Sequence, residues 1–179
     1  MTPGKPSITS TELIRQLESK DHTLVLKALR KLEKAGNVKD LPAIIRVMST
    51  VTDPELLNDF TQFLSNIRSK EAPAILAKSL ENPAYSKIRA ELVRSCWESQ
   101  LDYSPHLMIF AMMFIAGDYL LALESFTVIE NTCMERRVNQ KQLTDISILV
   151  KNTLPDQPET KQRLVKELIL VLESFLDKD

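Results

Sequence analysis

The sequence predicts an all-α protein, an α-solenoid of about four helical hairpins with flanking helices. Pro42, Pro73 and Pro105 each open an apolar stretch, and they follow one another at spacings of 31 and 32 residues. A fixed spacing of this size, with an amphipathic run before each proline, is typical of stacked helix pairs. The chain also has only three glycines and 6% aromatic residues, a composition that favours helices over sheets.

Capping residues and turn residues place the predicted elements in order along a single domain of 179 residues. Residues 1–8 form a predicted flexible leader, and the capping-box sequence from Thr9 to Glu12 begins a short helix. Asp21 and Asp53 are predicted N-caps, because their carboxylates can accept open backbone N–H groups. The predicted hairpins cover residues 21–51, 53–82, 84–116 and 118–152. A capping helix over residues 158–177 is predicted to end the domain.

The repeated pattern resembles HEAT repeats, in particular the short bacterial form. Prolines open the second helix of each pair, an Asp-Pro sequence at Asp53 opens a first helix, and the spacing is close to 31 residues. The resemblance extends over residues 21–130. It implies a short right-handed superhelix whose second helices line one surface that is offered to a protein partner. The same architecture is similar to that of HEAT-like alkylpurine DNA glycosylases and, more weakly, of phycobilisome lyases.

Charge and hydropathy argue against nucleic-acid and membrane partners. The net charge is −1, with nine Lys or Arg against five Asp or Glu in residues 1–51 and none against three in residues 104–134. This polarity is too weak for a nucleic-acid binder, which normally has a strongly basic face. No segment reaches the roughly 18 apolar residues that a spanning helix needs, so no membrane insertion is predicted. The first residues lack the apolar core of a signal peptide, and a cytoplasmic location is expected.

Catalytic and cofactor signatures are missing from the sequence. The common nucleophile, zinc and phosphate motifs do not occur. His22 and His106 are the two histidines, too few for a His-based metal site. Cys96 and Cys133 lack the spacing of a redox or metal motif and are interpreted as buried structural thiols in a reducing compartment. We therefore expect no enzyme activity, no cofactor and no bound metal.

Alignment of the units on their prolines indicates a candidate protein-binding site. Arg46 shares a column with Ile109, Lys78 shares one with Phe110, and polar residues of the first two units align with Met113. Each of these columns holds a polar residue in at least one of the first two units and turns apolar in the third. Either the C-terminal helix or a neighbouring copy covers these apolar residues as core, or they form an exposed Met-rich patch for a partner helix or peptide.

The predicted function is a non-enzymatic scaffold or adaptor for protein–protein interaction. The partner is another protein of unknown identity or a second copy of the chain, because stacked helical repeats present extended surfaces rather than deep polar pockets. The alternative is a DNA-binding enzyme of the alkylpurine DNA glycosylase type, as the resemblance implies.

Overall fold

A computed structural model describes residues 9–135 and 138–176, and within these ranges the chain is all helical, with ten α-helices and no strand. The helices are α1 Ser10–Leu17, α2 His22–Ala35, α3 Leu41–Met48, α4 Pro54–Ser65, α5 Ala72–Leu80, α6 Arg89–Ser99, α7 Leu107–Ala116, α8 Tyr119–Glu135, α9 Gln140–Thr153 and α10 Glu159–Leu176. The predicted leader at residues 1–8 lies outside the described residues. None of the described helices is long and apolar enough to cross a membrane.

The predicted N-caps are confirmed at three helix starts. Asp21 and Asp53 each accept a hydrogen bond from the backbone N–H three residues later, at 3.3 and 2.9 Å. Thr9 Oγ1 accepts one from the backbone N–H of Glu12 at 3.4 Å. The reciprocal half of that capping box is replaced, because the Glu12 carboxylate accepts a hydrogen bond from Arg15 instead. These caps set where the helices begin.

The third proline occupies a different structural position from the first two. Pro42 and Pro73 are each the second residue of their helix. Pro105 lies in a 3-10 turn, Ser104–His106, and α7 begins only at Leu107. The prediction that Pro105 opens this helix is therefore wrong, because the chain makes a tighter turn before the α-helix starts.

The helices contact one another in two rows. The odd-numbered helices α1, α3, α5, α7 and α9 contact one another in this order, and so do the even-numbered helices α2, α4, α6, α8 and α10. One apolar core runs between the rows, from Leu13 in α1 to Leu172 in α10. Helices of 8 to 18 residues are marginal in isolation, so this shared core supplies most of their stability.

Side-chain hydrogen bonds join neighbouring helices of the even row from α2 to α8. The pairs are His22–Asp59 at 2.7 Å, Ser65–Glu98 at 2.7 Å and Trp97–Glu124 at 2.5 Å. The hydrogen bond that the His22 ring makes to the Asp59 carboxylate raises the pKa of His22 above its ordinary value. The polar side chains between these helices therefore hold the row together.

The connection between α7 and α8 is shorter than each of the other connections from an odd-numbered helix to the next even-numbered helix. Only Gly117 and Asp118 separate the two helices, which pack closely on each other. A Cβ atom on Gly117 would lie 2.7 Å from both the Met113 carbonyl oxygen and Leu121 Cγ, so the approach requires glycine. The predicted boundary between two repeat units, at Gly117, thus falls between two helices that pack closely on each other.

Cationic side chains cap the carbonyl ends of several helices. Arg89 donates to the Leu80 carbonyl at the end of α5, at 3.0 Å. Arg68 donates to the carbonyls of Ser65 at 2.8 Å and Ser99 at 3.3 Å, and so joins the ends of α4 and α6. A cation at a helix C-terminus satisfies open carbonyl groups and interacts favourably with the helix dipole.

Lys161 of α10 forms the most buried of these caps, with 3% of its surface exposed. Its Nζ donates to the carbonyl oxygens of Ile115 at 2.8 Å and Gly117 at 2.9 Å, and it lies 5.5 Å from the Phe114 ring centroid. Desolvation lowers the pKa of this amine. The contact fixes the start of α10 against the end of α7.

Replacing Lys161 with methionine should reduce the free energy of unfolding by about 1 to 3 kcal/mol, because two buried carbonyl groups lose their donor. The matched control is Lys166→Met on the exposed side of the same helix, which should change stability by less than about 0.5 kcal/mol. Urea denaturation followed by circular dichroism measures both. Equal effects of the two substitutions would contradict the capping role of Lys161.

Candidate functional site

Four of the odd-row helices, α3, α5, α7 and α9, share one burial pattern, which defines equivalent positions along the row. In α3, Ile44 and Ile45 are buried, Arg46 is exposed and Met48 is buried. The same pattern recurs at 76–80, 110–114 and 146–150. In each, two buried residues precede one exposed residue, and another buried residue lies two positions after the exposed one. Because these helices pack side by side, residues at one position of the pattern lie on one face of the row.

This burial register differs from the register that the prolines predicted. Arg46 is equivalent to Lys78, which is 32 residues later, and Lys78 is equivalent to Met112, which is a further 34 residues along. The proline spacings were 31 and 32 residues. Part of the difference arises because Pro105 precedes α7 in a 3-10 turn. The predicted pairing of Arg46 with Ile109 and of Lys78 with Phe110 is therefore wrong.

The structure separates the five predicted site residues. Arg46 and Lys78 are exposed on the odd row. Phe110 has 0% and Met113 has 9% of its surface exposed, so both belong to the core. Ile109 is partly buried against the same core. Phe110 and Met113 are therefore core residues, as the first of the two explanations held, but the helices that enclose them are not the predicted C-terminal helix or a neighbouring copy. Helices α5, α8 and α9 pack around α7.

The exposed positions of the pattern form a line across the odd row, which we call the outer column. It consists of Arg46, Lys78, Met112 and Ile148, together with Arg15 of α1, which follows the buried Leu13 and the partly buried Ile14. All five are exposed, and Met112 and Ile148 each expose 53% of their surface. The outer column is thus cationic over its first three helices and apolar over its last two.

Helix α7 is apolar on its exposed side as well as on its buried side. Its ten residues include no polar side chain, whereas each of the other described helices contains at least one charged residue. Met112 is exposed, and Met108, Ile109 and Ile115 are partly buried around it. A helix that is apolar all round is normally enclosed by the protein. We call this exposed side, formed by Met108, Ile109, Met112 and Ile115, the α7 outer face.

Two cavities of about 300 and 260 Å³ lie elsewhere on the chain. The larger is lined by residues of α6 and α8, including Trp97, Glu98 and Cys96. Its main polar side chains already have partners, because Trp97 donates to Glu124 and Glu98 accepts hydrogen bonds from Ser65 and Arg94. Two of these hydrogen bonds join α6 to its neighbours α4 and α8.

The two cysteines are buried and protonated at neutral pH. Burial raises the pKa of the Cys96 thiol to about 12 and that of Cys133 to about 11. A reactive cysteine needs a lowered pKa and access to solvent, so both thiols act as small core side chains. Within residues 9–135 and 138–176, His, Cys, Asp and Glu side chains form no cluster of three that could hold a metal ion.

Comparison with known proteins gives one structural similarity. No protein-family model and no curated protein matches the chain. The crystal structure of an engineered protein from the Northeast Structural Genomics Consortium aligns with it at a TM-score of 0.51 and 17% identity, over 93% of this chain and 80% of the other. The similarity concerns the fold alone. It supports an all-helical architecture over nearly the whole chain and carries no information on function.

The burial register can be tested with two neighbouring methionines. Met113→Glu should lower the free energy of unfolding by about 3 kcal/mol or more, because it places an unpaired carboxylate in the core. Met112→Glu, the matched control one residue earlier, should change stability by less than about 0.5 kcal/mol, because the side chain faces solvent. Thermal unfolding of both variants measures the difference. The reverse order would show that the register is wrong.

Proposed function

We propose that this chain is a non-enzymatic protein-interaction module, an α-solenoid of HEAT-like repeats that binds a protein partner through the α7 outer face. The row-by-row contacts of the helices are the arrangement expected of stacked repeats, in which each unit contacts only its neighbours. The structural similarity to an engineered protein is compatible with this arrangement. A cytoplasmic setting fits the two free, buried cysteines.

The observation that carries the proposal is the exposed apolar side of α7. Arg46 and Lys78 occupy in α3 and α5 the position that Met112 occupies in α7. Two helices of the row therefore present a charged, solvated side chain where α7 presents an apolar one. Exposed apolar surface that is contiguous marks interaction sites in soluble proteins. Methionine suits this role because its flexible, polarisable side chain adapts to the shape of a partner.

An exposed large apolar residue on α10 provides a contrast to Met112. Leu170 of α10 has 64% of its surface exposed, but the residues one turn away on either side, Lys166, Glu167 and Ser174, are polar and exposed. Single exposed apolar residues of this kind are normal and need no function. Leu170 is therefore a suitable control for Met112.

The DNA-binding alternative is less well supported. Four exposed cations lie on α2, namely Lys27, Arg30, Lys31 and Lys34. A protein that binds DNA tightly makes about six to ten phosphate contacts, so this surface supplies too few. The cationic part of the outer column ends at Lys78, where the apolar part begins. A gel shift at low salt that shows a stable complex with duplex DNA would favour the alternative.

The proposal predicts that Met112→Glu abolishes binding of a partner without unfolding the chain. Tagged wild-type protein, Met112→Glu and Leu170→Glu are used to recover bound proteins from the native cell, and these are quantified by mass spectrometry. We expect proteins that wild type and Leu170→Glu recover alike and that Met112→Glu recovers at least about tenfold less, the loss expected at an interface hot spot.

The thermal midpoints of the three proteins provide the folding control for this comparison. Equal midpoints with a selective loss of partners support the α7 outer face as the binding surface. If Met112→Glu and Leu170→Glu recover the same proteins in the same amounts, the α7 outer face is not the site.

A further inference from the structure

A second exposed apolar surface lies on α8. Leu120, Leu123, Thr127, Glu130 and Met134 follow one another at intervals of three or four residues, and so form one stripe along this helix. We call it the α8 stripe. Leu120, Leu123 and Met134 expose 53%, 39% and 68% of their surfaces. The α8 stripe is therefore apolar at its start and acidic at Glu130.

The charges of α8 are the opposite of those on the outer column. Helix α8 contains three glutamates and no Lys or Arg among residues 119–135. Glu124 is engaged with Trp97, whereas no ion pair is formed by Glu130 within the described residues. On the outer column, Arg46 and Lys78 likewise form no ion pair in the described chain.

We propose that a second copy of this chain docks its α8 stripe on the outer column, so that the module binds itself. The inference rests on the function proposed above and names the partner of the α7 outer face. Leu120 and Leu123 of one copy cover Met112 of the other, and Glu130 pairs with Lys78. Complementary charges of this kind select a partner and fix its orientation.

The spacings of the two surfaces agree. Glu130 lies seven positions after Leu123. This is a distance of about 10 Å along a helix that rises about 1.5 Å per residue. Met112 and Lys78 lie on neighbouring helices of the odd row, whose axes are about 8 to 10 Å apart. An α8 helix that crosses the odd row can therefore place Leu123 on Met112 and Glu130 beside Lys78 at the same time.

The two docking surfaces belong to different parts of the chain, and in the proposed arrangement each pair of copies shares one contact, so the contact is head-to-tail rather than reciprocal. Each copy presents both surfaces, and after two copies dock, one outer column and one α8 stripe remain free. Such a heterologous interface adds further copies and forms rings or open chains, unlike a symmetric interface, which stops at two. The size of the assembly should therefore increase with protein concentration.

This arrangement is tested by sedimentation velocity on the purified full-length chain. Wild type should form species larger than a dimer over about a hundredfold range of concentration. Met112→Glu damages only the outer column, and Leu123→Glu damages only the α8 stripe. Each variant alone should stay monomeric. An equimolar mixture of the two should form dimers that do not grow. The intact α8 stripe of Met112→Glu docks on the intact outer column of Leu123→Glu, and the dimer then has only damaged surfaces free.

A charge exchange tests the proposed pair. Lys78→Glu and Glu130→Lys should each weaken self-association by about tenfold, since each places like charges at the contact. The double variant Lys78→Glu with Glu130→Lys should restore it. Lys27→Glu, an exposed α2 substitution with the same change in charge, should have no effect, and all variants should keep the wild-type thermal midpoint.

Three outcomes overturn the inference. They are a monomeric wild type over the whole concentration range, a mixture of Met112→Glu and Leu123→Glu that forms no dimer, and a double charge variant that associates no better than the single variants. If wild type is monomeric while Met112→Glu still loses a foreign partner, only the self-association fails and the proposed function stands. If Met112→Glu changes neither self-association nor partner recovery, both fail.

Discussion

The structure depends on the burial of two adjacent residues in each odd-row helix from α3 to α9. In α3 these are Ile44 and Ile45, and they lie in the core between the two rows. A helix this short gains too little from its own hydrogen bonds to persist without such packing. Burial of the pair fixes the rotation of the helix about its axis, and the next residue must then face solvent. The outer column is a direct consequence of this requirement.

The two candidate surfaces lie on α7 and α8, which are consecutive helices. Gly117 permits a two-residue connection, and the buried Lys161 holds α10 against the end of α7. These contacts enclose the inner sides of both helices. Their outer sides remain exposed, and α7 has the apolar Met112 where the two preceding odd-row helices have the charged residues Arg46 and Lys78. Exposed apolar surface on two adjoining helices is typical of an interaction site, so α7 and α8 are where partner binding is proposed.

Much of the fold could be predicted from the sequence, whereas the site could be predicted only in part. The caps at Asp21 and Asp53 are local, because a carboxylate and a backbone N–H three residues away determine them. The 3-10 turn around Pro105 does not follow from one such pair of groups. It places Pro105 before α7 rather than inside it, so an alignment on the prolines matches the wrong residues of α7. Phe110 and Met113 were therefore aligned with exposed positions although they are core residues. Alignment on the buried pairs, rather than on the prolines, identifies Met112.

Methionine oxidation measures the central claim most directly, because it reports the exposure of each thioether to solvent and its protection by a partner. In the dilute chain, mild peroxide should oxidise Met112 early and Met113 as slowly as the fully buried Met48. Addition of a partner recovered with the wild-type protein should then slow oxidation of Met112. The account is contradicted if Met113 is oxidised as fast as Met112, or if the bound partner leaves the rate at Met112 unchanged.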